Sequence, residues 1–552
     1  MTDLIRLAEA WRDQDPDPTT RDALDQLLVQ AQADDPAVAG IAVEELHQAF
    51  AGPLEFGTAG LRGALGPGPA RMNRVVVSQA AAGFAAWLTR QGHRGGRVIV
   101  GFDARYNSDV FARDTAEIMT GAGFEVLLTD QPTPTPVVAF GIKHFGCVAG
   151  VVVTASHNPP ADNGYKVYLG DGSQIVSPTD DEIAAEIAAV AARPFGEIIR
   201  AQGWRVVDQE LLDAYAERAA SLVPPEAPRS VSWVYTAMHG VGSRVVREVV
   251  RAAGFPPGIP VAEQDDPDPA FPTVAFPNPE EPGAIDLAIA LASQQEADLV
   301  VANDPDADRC AVAVPVGGTW RMLTGDELGA LLGDDALRRG VEGTYACSVV
   351  SSTLLGTMAG AHGRPFTTTL TGFKWIGRVP GLAFGYEEAI GYCCDAGAVP
   401  DKDGITALLT VLRLAAELKA QGLTIADRLD EIARAYGVHA TSQLSVRVAD
   451  VSIIANAMAR LRAAPPASLG GAPVTVRDLR DGGELPPTDA VELTGERVHV
   501  VARPSGTEPK LKCYLEARVS PEESRADLAA ARAAAAQLLQ GLRADMSAAL
   551  GV

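Results

Sequence analysis

Short apolar runs that end in polar loops, separated by helix-period stretches, constrain this chain more than any other feature. Between about residues 75 and 195, VVVSQAAAGFAAWL reads as a helix, GRVIVGFD as a buried strand and SDVFARDTAEIMTGAG as a helix. FEVLLTD is again a strand, TPTPVVAFGIKHFG a helix, and CVAGVVVTASHN a strand running into a polar loop. Such alternation predicts α/β units around a mostly parallel sheet. It restarts after the Pro-rich stretch Val223–Arg229 with SVSWVYTAMHG, helix AIDLAIALASQQEA and strand DLVVAN. It restarts again near Trp320 with helix GDELGALLGDDALRR, strand TYACSVV and helix DGITALLTVLRLAAELKAQG. From about residue 441 the pattern changes to strands such as QLSVRV and RVHVVARP, closed by a helix rich in Ala and Leu. The first 50 residues read as helical, with Leu4, Leu7, Trp11, Leu24, Leu27 and Leu28 at 3–4 spacing around a DPDP turn. The expected fold class is α/β with four domains: three α/β domains over 1–205, 206–317 and 318–440, and a C-terminal α+β domain over 441–552. A length of 552 residues suits that count, at about 100–200 residues per domain.

Charge narrows the partners. With 46 Lys+Arg against 70 Asp+Glu, the net charge of −24 counts against nucleic acid and against an anionic membrane surface. Six scattered cysteines without CxxC spacing fit buried thiols in a reducing compartment. MTDLIRLAEAWRDQ lacks a signal-peptide core, and no run of about 18 apolar residues occurs, so a cytoplasmic protein is expected. Only seven of the cations are lysine. Each lysine therefore asks for a reason, because an ammonium can give up its proton and a guanidinium effectively cannot.

Five polar loops carry the chemistry, and ligands gather at strand carboxyl ends in open α/β sheets. In VVVTASHNPPADNGYKVY an apolar strand delivers Ser156 and His157, with Lys166 following. An ordinary Ser-turn explains a lone serine there, but not its company. In ADLVVANDPDADRC a strand ends in Asp304, Asp306 and Asp308, followed by Arg309. Three close carboxylates repel one another unless a cation joins them, and hard oxygen donors suit Mg²⁺ or Ca²⁺. An EF-hand is excluded, since Arg309 and Pro315 stand where Gly and Glu are required. RPSGTEPKLK offers Arg503, Ser505, Gly506, Thr507, Lys510 and Lys512, either a phosphate cradle or a good hairpin turn. LTGFKWIG places Lys374 between aromatics, and FGYEEAIGY supplies Glu387 and Glu388 as acceptors for a polyol. Four lysines lie in these loops and Lys402 follows closely.

Together the loops resemble the α-D-phosphohexomutase family of phosphoglucomutases and phosphomannomutases. TASHNP is similar to its phosphoserine loop, DPDADR to its metal loop, GYEEAIGY to its sugar loop and RPSGTEPK to its phosphate loop, in the family's order. FGTAGLRG, TAMHGVG and GYEEAIGY look most like the branch that also holds phosphopentomutases. The resemblance implies four domains around a central cleft. It also implies a phosphosugar mutase converting hexose 1-phosphate to hexose 6-phosphate, glucose first, with mannose or a pentose as alternatives. Ser156 would carry the phosphoryl group, and Asp304, Asp306, Asp308 and the phosphoserine would hold one Mg²⁺. Arg62 and Arg309 would stand by the phosphoserine, with His157 alongside. Lys166 would be general base or charge stabiliser, Lys374 the acid partner and His239 a further participant. Arg503, Ser505, Gly506, Thr507 and Lys512 would clamp the second phosphate. A sugar bisphosphate such as glucose 1,6-bisphosphate would be the activator, and the protein a monomer or homodimer acting on a small sugar phosphate. One departure stands out: Ala389 occupies the place of the family's sugar-contacting serine. An Asp-nucleophile phosphatase predicts Thr or Val where Arg309-Cys310 stand, and a silent sensor predicts loss of Ser156 or an aspartate.

Overall fold

The computed structural model describes residues 2–448, 450, 452–505 and 510–552. The chain forms two compact units, one running to Val312 and including Gly397–Leu409, the other comprising Ala313–Ala396 and Thr410 onward.

The first unit opens with helices Thr2–Gln14, Pro18–Gln30 and Pro36–Ala49. The DPDP turn separates the first two because Asp17 caps the second: its carboxylate accepts from Thr19 N–H at 2.9 Å, with proline at the first helical position. Leu24 and Trp11 join the core of the adjacent sheet. Leu7, expected on the apolar face, is 55% exposed, because Ala8 takes the inward place and is fully buried.

That sheet has the order β1 (Leu61–Ala64), β5 (Asp162–Leu169), β4 (Ala149–Val153), β2 (Arg97–Phe102), β3 (Glu125–Leu128), β6 (Arg205–Val206). β4, β2, β3 and β6 run parallel, and β5 and β1 add antiparallel pairs. Val98, Val100, Val151 and Val153 are all buried, as continuous apolar strands covered on both faces should be. A second parallel group places β7 (Trp233–Thr236) between β8 (Ile259–Pro260) and β9 (Leu299–Ala302).

The chain enters the second unit along β10 (Ala311–Val316), which turns back into β11 (Thr319–Met322). Gly317 and Gly318, at φ +59° and +84°, make the two-residue hairpin turn that demands left-handed backbone twice. The next sheet has the order β13 (Phe366–Thr369), β12 (Thr344–Ser348), β14 (Leu382–Glu387), β15 (Gly391–Cys393), antiparallel only at its last pair. The C-terminal sheet is wholly antiparallel. It runs β16 (Val438–Arg447), β22 (Lys510–Val519), β21 (Val498–Pro504), β20 (Val491–Thr494), β19 (Thr475–Asp478), with β17 (Ser468–Leu469) and β18 (Ala472–Pro473) as a small separate ribbon. Helix Leu528–Leu550 packs on it through Ala535, Leu542 and Met546. Three α/β domains and a C-terminal α+β domain are thus the architecture. Among the described residues, no helix is long and apolar enough to cross a membrane.

Candidate active site

β2 and β4 are neighbours although a helix, β3 and a second helix separate them in sequence. Their carboxyl ends therefore flank the point where strand order reverses, which is where such sheets open a crevice. β4 delivers Ser156 there in left-handed backbone, φ +53°. A non-glycine residue in that region is strained and must be held. Ser156 N–H donates to Thr154 Oγ1 at 2.8 Å, and Thr154 Oγ1 donates to Asp103 Oδ2 at 2.7 Å.

β9 ends in the aspartate loop. Ser156 Oγ donates to Asp304 Oδ2 at 2.8 Å, and the Nδ1 of His157 lies 3.2 Å from the same hydroxyl. Lys166, buried on β5, reaches Asp306 Oδ2 at 2.7 Å and Asp308 Oδ2 at 2.9 Å. Thr135 Oγ1 donates to Asp306 Oδ2 at 2.6 Å. Ala307, between the last two aspartates, is also left-handed, φ +55°. Arg309 N–H donates to Asp304 Oδ1 at 3.0 Å, and its guanidinium lies 3.9 Å from Asp308. Arg62 donates to Asn158 Oδ1 at 3.2 Å.

The three carboxylates lie fully buried with a ligand oxygen each inside a 4.8 Å span. Burial, then Asp306 and Asp308, push the Asp304 carboxyl well above its usual range. For Asp308 burial works upward, but Lys166, Lys402 and Arg309 outweigh it and hold the carboxyl down. The Lys166 ammonium is held above its usual range: burial opposes its charge, and Asp306 and Asp308 more than restore it. Burial, then Arg309 and Arg62, depress His157 well below its normal value. Asp306 Oδ1 and Asp308 Oδ1 are buried without a hydrogen-bond partner. Two orphaned carboxylate oxygens beside a third, repelled carboxyl form a donor set that fits a hard divalent cation.

The TAMHGVG loop after β7 packs on the aspartate loop, with Val241 N–H donating to Pro305 O at 2.8 Å. His239 itself is buried there, but its Nε2 meets Thr273 Oγ1 at 2.8 Å, not an aspartate.

The remaining candidates belong to the second unit. Lys374 is half-buried on the short helix Phe373–Ile376. Glu387, at the end of β14, accepts from Gly372 N–H at 2.6 Å. Glu388 accepts from Ser348 Oγ at 3.1 Å. Arg503 and Lys512 face each other in the β21–β22 ladder, which Ser505 N–H closes on Lys510 O at 2.8 Å. Gly506 and Thr507 lie outside the described residues.

Four residues escaped the motif reading. Asp103 and Arg105 follow β2, so the strand-end rule applied to the other loops also reaches them. Lys402, 3.4 Å from Asp308, was signalled by the scarcity of lysine. Thr135, opening the helix Thr135–His144, carries no sequence signal.

Four profiles of the phosphoglucomutase/phosphomannomutase family match the chain in order: alpha/beta/alpha domains I, II and III over residues 53–194, 212–317 and 324–436, and the C-terminal domain over 444–535. Ser156, the aspartates, GYEEAIGY and RPSGTEPK fall one to each segment. A Haemophilus influenzae protein named "Probable phosphomannomutase" is 48% identical, over 81% of this chain and 93% of its own. A Schizosaccharomyces pombe protein named "Probable phosphoribomutase" is 37% identical, over 93% and 94%. The crystal structure of a "putative phosphomannomutase" from Thermus thermophilus matches with a TM-score of 0.68 at 27% identity, covering 87% of this chain and 98% of that one. The fold and the loops define a phosphoryl-shifting isomerase. The chain belongs to the α-D-phosphohexomutase family and is a phosphosugar mutase, working through a phosphoserine enzyme and a sugar bisphosphate.

Proposed function

We propose that this mutase interconverts mannose 1-phosphate and mannose 6-phosphate, with Ser156 as the phosphoryl carrier. The observation that carries the serine is its Oγ, 2.8 Å from Asp304 at the mouth of a buried three-carboxylate cluster. The sugar rests on the 48% identity to the Haemophilus influenzae relative, and on this ground the expected preference for glucose gives way. A pentose phosphate is the second reading, supported by the likeness to the Schizosaccharomyces pombe relative across 93% of this chain. Ala389 removes a hydroxyl at the sugar loop and by itself does not separate mannose from glucose.

In the proposed cycle phosphoserine 156 gives its phosphoryl group to the free sugar hydroxyl: as the new P–O bond forms and the Ser–O–P bond breaks, the hydroxyl gives up its proton and Ser156 Oγ takes one up, leaving a free serine and a sugar bisphosphate. The bisphosphate turns over and returns its other phosphoryl group to Ser156. Asp304, Asp306, Asp308 and the phosphoserine would hold Mg²⁺, which when bound offsets charge on the transferring group. Lys166 acts as a charge stabiliser, since its ion pairs to two carboxylates keep its proton in place. Arg62 and Arg309 contribute positive charge beside the loop, and His157 is the imidazole nearest the serine hydroxyl. In the second unit, Glu387 and Glu388 accept from sugar hydroxyls, Lys374 supplies a proton donor, and Arg503, Ser505 and Lys512 grip the phosphate that stays.

A coupled assay on mannose, ribose and glucose 1-phosphates at one activator concentration tests the sugar. Mannose 1-phosphate should show the highest kcat/KM; a higher value for glucose overturns this assignment and leaves the mutase chemistry standing. Ser156→Ala should abolish turnover, and phosphopeptide mapping of the resting enzyme should place phosphate on Ser156. Turnover by that variant would falsify the serine assignment. Chelation by EDTA should stop the reaction and Mg²⁺ restore it.

A further inference from the structure

Arg105 is 4% exposed, yet it belongs to no motif that marks the site. Its Nη2 donates to Ser156 O and to Asn158 O, both at 2.6 Å. Its Nη1 donates to Pro159 O at 2.8 Å and to Asp162 O at 3.1 Å. Its Nε lies 3.3 Å from Asp103 Oδ2, the carboxylate that also receives Thr154 Oγ1. One face of the guanidinium stacks over the Phe271 ring, 5.0 Å from the centroid. One side chain thus gathers four carbonyls of the serine loop, and its charge lies against Asp103, which holds Thr154 and through it Ser156 N–H.

Two physical consequences follow. Ser156 is strained at φ +53°, and a strained residue persists only where its surroundings over-determine it. Four carbonyl oxygens beside a phosphoryl group would also repel it, and here a buried cation occupies them. With both Nη groups on carbonyls, the guanidinium has no fork left for substrate; its Nε makes an ion-pair contact with Asp103 but no hydrogen bond.

We propose that Arg105 is the positioning residue of the serine loop: it holds the Ser156 backbone in its left-handed well, so that Oγ stays on Asp304. The proposal rests on Ser156 being the phosphoryl carrier. Four coplanar Nη–H bonds are required, so lysine, with a point charge, is no substitute.

A cavity of about 420 Å³ lined by Phe102, Asp103, Arg105, Thr129 and Pro267 opens onto this side chain. It gives small cations a route to the space a truncated Arg105 leaves, which sets the experiment. Purified full-length Arg105→Ala and Arg105→Lys are assayed for kcat and KM with and without millimolar guanidine hydrochloride, with KCl as the ionic control. Both variants should lose about 100-fold in kcat, the scale set by small misplacements of a reacting group, with KM changed by less than about threefold. Guanidine, but not KCl, should recover about a tenth or more of wild-type kcat in Arg105→Ala and nothing in Arg105→Lys, where the ammonium fills the space. Arg105→Lys keeps the charge and serves where Arg105→Ala fails to fold. Wild-type-like kcat in either variant, or a rise in KM with kcat unchanged, overturns the proposal, as does a folded Arg105→Ala that guanidine does not rescue. Phosphopeptide mapping of the wild type separates the two claims. Phosphate on Ser156 with unaffected variants removes Arg105 alone, whereas phosphate on another residue removes the serine reading and this proposal with it.

Discussion

Glu388 shows what burial does to a side chain whose neighbours in sequence look solvated. Its Oε2 accepts from Ser348 Oγ at 3.1 Å and Ser351 Oγ at 3.4 Å. Burial first, then Glu387 and Asp326, raise its carboxyl from 4.5 to about 7. The folded chain therefore keeps a proton there over a range in which the unfolded chain has lost it. Stability from this group is fully present below pH 4.5 and is lost as pH rises through about 7. Glu388→Gln keeps the shape and cannot ionise. Relative to wild type it should gain about 3 kcal/mol between pH 4.5 and pH 8, read by denaturant unfolding at the two values. A difference that does not move with pH would mean that Glu388 ionises normally.

At the scale of elements, the site depends on loops pressed together at the ends of β7 and β9. A Cβ on Gly240 would stand 2.3 Å from Pro305 Cα and 2.4 Å from Pro305 O, both backbone atoms of the aspartate loop. Backbone cannot swing aside as a side-chain tip can, so Gly240→Ala should push Asp304 and Asp306 out of register. The Mg²⁺ concentration for half-maximal activity should rise about tenfold, as for loss of other supports behind metal ligands. An unchanged Mg²⁺ requirement would show that the loop absorbs the methyl. The strands and their polar ends were legible because apolar runs such as Val151–Val153 and Leu299–Ala302 stop abruptly at Thr154 and Asn303. The strand-end position of Arg105 was legible but its role was not, because a lone arginine in a loop has the same sequence signature whether it is solvated or buried on four carbonyls. His239 was legible as a loop residue, but its partner Thr273 is 34 positions away and nothing local announces it. The start of β16 was blurred for a similar reason. Gly437, at φ +94°, ends the helix Ile425–Tyr436 and begins the strand at Val438, while the alternating pattern surfaces only further on.

Over the whole molecule the first unit is completed late in the sequence. Gly397–Leu409 returns to it after the chain has built β12 to β15. In that return Asp401 accepts from Tyr168 at 2.9 Å, Asp403 from Tyr215 at 2.9 Å, and Lys402 reaches Asp308. The serine loop thereby draws on Arg62, Arg105, Lys166, Arg309 and Lys402 inside a chain whose net charge is −24. A dianionic sugar phosphate meets two opposed fields: a distant repulsion from the acidic whole and a close attraction from these cations. Salt removes them in sequence, because the screening length falls from about 30 Å at 0.01 M to about 10 Å at 0.1 M and about 3 Å at 1 M. At constant free Mg²⁺, kcat/KM should therefore rise from the lowest ionic strength to about 0.1 M, as the far repulsion is screened, and fall toward 1 M, as the near attraction fades. A steady fall from the lowest salt would show that the outer acidity never reaches the site. A steady rise would show that the buried cations are spent on the aspartates and carbonyls they already hold, leaving nothing to draw the substrate in.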